Sequence, residues 1–220
     1  MKLEGIKANF LGDSITEGCG TSGEDFVFHG ILKKNAKLAV ARNYGKGGTR
    51  IARQSEIKDP DGRDYDFLRR AEEMDPDADL IVVFGGTNDY GNGQAPLGEI
   101  TDNTVFTFYG AVHNLCKNLL EKYPSAKIVF ITPLHRWNEC GGLGTWKPEG
   151  VTQHHLSAYV TAVNEVCALY SIPVLDLFNN GEMPIDNPEF QKKYTSDGLH
   201  PNDEGHKILA SKLQEFLESL

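Results

Sequence analysis

Five short apolar runs recur along the chain, and the stretches between them carry helical spacing. The runs are residues 6–11 (IKANFL), 37–42 (KLAVAR), 79–85 (DLIVVFG), 127–133 (KIVFITP) and 172–178 (IPVLDLF). In the segment 104–121, Phe108, Val112, Leu115 and Leu119 fall on one helical face, and in 153–170 so do Leu156, Val160, Val163, Cys167 and Tyr170. Strand alternating with helix points to a parallel sheet. Leu80 to Phe84 and Ile128 to Ile131 are apolar at successive positions, which suits strands covered by helices on both faces. The fold class expected is therefore α/β, a three-layer α/β/α sandwich. Ile208, Leu209, Leu213, Phe216, Leu217 and Leu220 form a last amphipathic helix, with Asn202 or Asp203 to cap it. No repeat, low-complexity tract or linker divides the 220 residues, so one domain over 1–220 is expected.

Composition excludes several classes of function. With 31 acidic against 22 basic residues, the net charge of −9 disfavours nucleic acid and anionic lipid as partners. No apolar run approaches the ~20 residues of a membrane helix. The opening MKLEGIKANF lacks the features of a signal peptide, so a cytoplasmic protein is expected. Cys19, Cys116, Cys140 and Cys167 show no C-x-x-C pair or zinc-site spacing. Reduced thiols and no metal are expected, with Cys116 and Cys167 serving as small core residues.

The chemistry should lie where strands end, because open parallel sheets bind ligands beyond the carboxyl ends of their strands. The first run stops at Gly12-Asp13-Ser14-Ile15. Ser14 has two readings, helix cap or nucleophile. A nucleophilic serine needs a base held by an acid, and Asp197-Gly198-Leu199-His200 sets a carboxylate and an imidazole three apart in a turn. Asp13 is expected to organise the turn. Oxyanion donors have two sources: the glycine turn Asn43-Tyr44-Gly45-Lys46-Gly47-Gly48-Thr49, and Asn88 in Gly86-Thr87-Asn88-Asp89. Neither matches a phosphate-binding loop, and no G-x-S-x-G elbow is present. His135 lies on a strand-end loop, while the other histidines lack ligand spacing.

Taken together, these blocks resemble the SGNH hydrolases, the GDSL-type esterases and lipases. Gly12-Asp13-Ser14-Ile15 matches the first block, with isoleucine for the usual leucine. Asn43-x-Gly45-x-x-Gly48, Gly86-Thr87-Asn88-Asp89 and Asp197-Gly198-Leu199-His200 match the others in order. The resemblance implies a flavodoxin-like five-stranded parallel sheet and a serine esterase. In it Ser14, Asp197 and His200 are catalytic, Ser14, Gly48 and Asn88 form the oxyanion hole, and no cofactor is required.

The expected partner is a small-molecule ester. Polar loops with tryptophan favour short acyl groups, O-acetyl first, on a carbohydrate or other small polar alcohol. Tyr90, Arg50, His135, Trp137 and Trp146 are the candidate substrate-binding residues. The tryptophans have a second reading, as pins for the 133–151 loop. Alternatives are a lysophospholipase or thioesterase, or a non-catalytic domain that binds acylated sugars.

Overall fold

A computed structural model describes residues 1–139, 154–180 and 183–220. Strands β1 (Lys7–Gly12), β2 (Val40–Gly45), β3 (Leu80–Phe84), β4 (Lys127–Ile131) and β5 (Val174–Leu175) form one parallel sheet in the order β2-β1-β3-β4-β5. The helices are α1 (Ser14–Glu17), α2 (Phe28–Ala36), α3 (Phe67–Glu73), α4 (Thr87–Asn92), α5 (Phe108–Lys122), α6 (Leu156–Leu169), α7 (Pro188–Tyr194) and α8 (Asp203–Ser219).

Period-two alternation divides the strand side chains between two cores. Leu11, Ile81, Val83, Ile128 and Phe130 pack under α3, α5 and α6. Phe10, Leu80, Val82, Phe84, Val129 and Ile131 pack under α2 and α8. Each full burial of such a side chain contributes roughly 1.5–3 kcal/mol, so both helical layers are held to the sheet. These are the three layers of the α/β/α sandwich, with the flavodoxin-like strand order.

Two strand boundaries differ from the sequence expectation. The second strand runs over Val40–Gly45, not 37–42, because Lys37 takes a left-handed conformation (φ 55°) that ends α2, while Asn43, Tyr44 and Gly45 pair with Phe10, Leu11 and Gly12. The fifth strand shrinks to two residues. Beyond it Asp176 turns the chain, accepting hydrogen bonds from the Asn179 backbone N–H (2.9 Å) and from the Asn164 amide (2.7 Å). Asn187 caps α7 ahead of Pro188, an Asn-Pro-Glu start signal that the periodicity argument passed over. Asn202 caps α8.

In this order β1 has β2 on one side and β3 on the other, so the connections leaving β1 and β3 part there and open a crevice at the carboxyl edge. Ser14, the glycine turn and Asn88 all follow strands at that edge.

Candidate active site

Asp13, not Ser14, caps α1. Its carboxylate accepts from the Ile15 N–H at 3.0 Å, which frees the Ser14 hydroxyl at the first helical position. Asp13 is buried, and burial pushes its pKa up to about 6, against the lowering effect of that hydrogen bond and of His200. It organises the turn.

Ser14 Oγ lies 2.9 Å from His200 Nε2, across 186 residues of sequence. His200 Nδ1 lies 2.7 Å from Asp197 Oδ2. The other oxygen, Oδ1, accepts from the Leu199 and His200 N–H groups at 2.9 and 2.8 Å, so Asp197 closes the turn as well as holding the ring. Partial burial works to raise the Asp197 pKa, but these hydrogen bonds outweigh it and hold the carboxyl below its ordinary value. An ionised carboxylate only accepts. Nδ1 is therefore the donor to Asp197, which leaves Nε2 placed to accept from the Ser14 hydroxyl.

The glycine turn comes alongside from β2. Gly48 has φ +73°, in the left-handed region, and a Cβ there would sit 2.6 Å from Arg63 Cγ, so the position suits glycine alone. Its neighbour Gly47 is close enough that an added Cβ would lie 3.8 Å from Ser14 Cβ. Asn88, at the start of α4, donates Nδ2–H to the Thr49 carbonyl at 3.1 Å, joining the turns after β2 and β3.

Three residues without an assigned role hold this frame. Arg70 donates to the Gly12 carbonyl (2.7 Å), to Thr49 Oγ1 (2.7 Å) and to the Tyr44 carbonyl, tying together the ends of β1 and β2. Burial lowers its pKa to about 10, so it keeps its charge at neutral pH. Asp89 accepts from the Ile51 and Ala52 N–H groups at 3.0 and 2.8 Å, fixing the chain that follows Gly48. Arg136 donates to the Thr87 carbonyl and hydroxyl, both at 3.0 Å, and bears on the Tyr90 ring. The signal for Arg70 was a charge inside the apolar stripe formed by Phe67 and Ala71 of α3 and Met74 at its C-cap.

The five candidate substrate-binding residues separate. Tyr90 is 0% exposed, edge-to-face with Tyr159 in the core, so it is removed from substrate contact. Arg50 is buried and bound to Asp64 (2.7 Å) and Asn92 (3.3 Å), which makes it a brace and not a free cation. His135 stacks on Phe178 and bridges Glu139 (2.6 Å) and the Phe178 carbonyl (3.1 Å), with its pKa raised by the Glu139 hydrogen bond. Those two partners occupy both of its ring nitrogens. Trp137 stands 56% exposed, and its backbone N–H donates to the Gly198 carbonyl (2.9 Å) in the turn that carries His200. Trp146 lies outside the described residues, as does Cys140. Cys116 and Cys167 are buried and Cys19 is exposed.

A doubly wound sheet with a serine, histidine and aspartate aligned at its carboxyl edge defines a class of hydrolase. The chain belongs to the GDSL-like lipase/acylhydrolase family, whose model matches residues 10–208, and this places it among ester hydrolases. It is 33% identical to a Lactobacillus plantarum protein of known crystal structure, with 99% of this chain and 98% of that one covered and a TM-score of 0.82. At the level of fold it is similar to an Enterococcus faecalis lipase/acylhydrolase (22% identity, 97% and 96% covered, TM-score 0.65). A similar likeness holds to an acetyl xylan esterase (21% identity, 96% and 100% covered, TM-score 0.65). No curated protein matches the chain. No helix among the described residues is long and apolar enough to cross a membrane.

Proposed function

We propose that this chain is a serine esterase that removes short acyl groups, acetyl first, from a carbohydrate or another small polar alcohol. The observation that carries the reading is the aligned set Ser14, His200 and Asp197, at 2.9 and 2.7 Å. Ser14 Oγ attacks the ester carbonyl while His200 Nε2 takes its proton, and Asp197 stabilises the imidazolium that forms. Negative charge on the carbonyl oxygen is met by the Ser14 and Gly48 N–H groups and the Asn88 amide. His200 then protonates the departing alcohol. Water, giving its proton to His200, attacks the acyl-serine, and His200 returns that proton to Ser14 Oγ as the acyl C–O bond breaks and the acid leaves.

The short-acyl preference is supported by the polar side chains around the glycine turn and by exposed Trp137, whose indole face suits a sugar ring. The fold shared with an acetyl xylan esterase agrees with it.

The test is hydrolysis of p-nitrophenyl esters from acetate to palmitate by the wild type and by Ser14→Ala. Turnover is expected to be fastest on acetate and to disappear in the variant. Turnover that survives in Ser14→Ala overturns the serine mechanism, and fastest turnover on palmitate overturns the short-acyl preference.

A further inference from the structure

We infer that a cavity beside Gly48 receives the alcohol part of the substrate as a single sugar ring, with Arg63 as the residue that selects it. The inference rests on the esterase reading above. The cavity has a volume of about 240 Å³, and among the described residues its lining is charged and amide side chains, with Arg50, Lys58, Asp59, Arg63, Asp64 and Gln94 in it.

Its position follows from two contacts. Gly47 lies against Ser14, and the aliphatic stem of Arg63 lies directly on Gly48. A group attached to the ester oxygen at Ser14 and passing over the glycine turn, beside the Glu17 carboxylate at Gly47, is led to Arg63 and so to this cavity.

The walls are braced. Asp64 accepts from Arg50 Nη1 (2.7 Å) and from the Lys58 and Asp59 N–H groups (2.8 and 2.9 Å), and Arg50 and Asp64 are both more than nine-tenths buried. Lys58 is paired with Glu56 at 3.2 Å. Two groups remain uncommitted to another side chain. The Arg63 guanidinium has no hydrogen bond or ion pair among the described residues, and the Asp59 carboxylate accepts only from the Arg63 N–H (3.1 Å).

That residue set selects among ligands. A long acyl chain would bury against charged groups and strip them of water without replacing their hydrogen bonds. A phosphate would meet three carboxylates (Glu56, Asp59, Asp64) as well as three cations (Arg50, Lys58, Arg63), with no surplus of positive charge. Hydroxyl groups both donate and accept, so adjacent ring hydroxyls satisfy Asp59 and Arg63 together. The volume lies under the roughly 300 Å³ at which pockets for larger ligands begin, which fits one ring and not a chain of them.

The experiment compares kcat/KM for a set of mono-O-acetylated methyl glycosides (glucoside, xyloside, mannoside, galactoside) with that for ethyl acetate. It is run in the wild type, Ser14→Ala, Arg63→Met and Asp59→Asn. Arg63→Met keeps the stem over Gly48 and removes only the guanidinium. At least one glycoside is expected to exceed ethyl acetate, and the glycoside-to-ethyl-acetate ratio is expected to fall about tenfold in each cavity variant, through KM. A general folding defect lowers both substrates together and leaves the ratio unchanged. No preferred glycoside, or a preference that survives both cavity substitutions, overturns the inference with the esterase reading intact. Turnover that persists in Ser14→Ala overturns that reading, and the inference with it.

Discussion

The Ser14 hydroxyl and the His200 imidazole meet at 2.9 Å although one follows the first strand and the other precedes the last helix. Groups that act as one unit lose function as one unit. Ser14→Ala and His200→Ala are each expected to lower kcat by about 10³-fold or more, and the double variant by little more than either alone. Steady-state kinetics of the three variants check this. Losses that multiply would show that the two side chains act independently.

The conformation at Gly48 leads to a second expectation. An alanine there takes a left-handed φ costing about 1–2 kcal/mol, and its methyl displaces the Arg63 stem. Gly48→Ala is expected to lower kcat about 10²-fold, because the proposed oxyanion donor moves out of line, with a fall in thermal midpoint of a few degrees. Full activity in this variant would remove Gly48 from the oxyanion site.

Arg70 is the tie between the ends of β1 and β2. Arg70→Met takes one donor from the Gly12 carbonyl, which keeps the Lys46 N–H, and the guanidinium donors of the Tyr44 carbonyl and the Thr49 hydroxyl, which still donates to the Lys46 carbonyl. The expected loss is about 3 kcal/mol in urea unfolding, together with a drop in kcat, since Gly12 and Thr49 border Ser14 and Gly48. Unchanged stability would mean that water replaces the guanidinium.

Two separate buried groups, Asp13 and His206, give opposite pH dependences. Burial raises Asp13 from 3.8 to about 6. Between those values the folded chain holds a proton that the unfolded chain has released, so this group makes stability fall as pH rises. Burial lowers His206 from 6.5 to about 4, with neighbouring His29 adding to the shift. In that window the unfolded chain binds the extra proton, and stability falls as pH drops. Asp13→Asn keeps an acceptor for the Ile15 N–H and removes the first contribution. Its urea-unfolding stability is expected to climb more steeply than that of the wild type between pH 4 and 6, by up to about 1.4 kcal/mol per pH unit. Parallel curves for the two proteins would show that Asp13 titrates alike in both states.

Much of the architecture was legible because its cause is local. Apolar period and run length distinguish strand from helix over a few residues, and the ordered blocks at Ser14, Gly48 and Asn88 each follow a strand, while that at His200 directly precedes the last helix. Interior boundaries such as Val40–Gly45 were less legible, since pairing with β1 carries that strand past the end of its apolar run.

By itself the sequence determined the alternating elements, the three-layer sandwich and the residue types available at the carboxyl edge, since each follows from periodicity and spacing along the chain. Only the tertiary structure decided which side chain takes which partner. It made Asp13 the cap and left Ser14 free to reach His200, locked Arg50 onto Asp64, sank Tyr90 into the core and laid Arg63 over Gly48. Those choices turn on the direction of a side chain and on a partner between 2 and 186 residues away, and a hydrogen bond is made by position in space, which spacing along the chain does not contain.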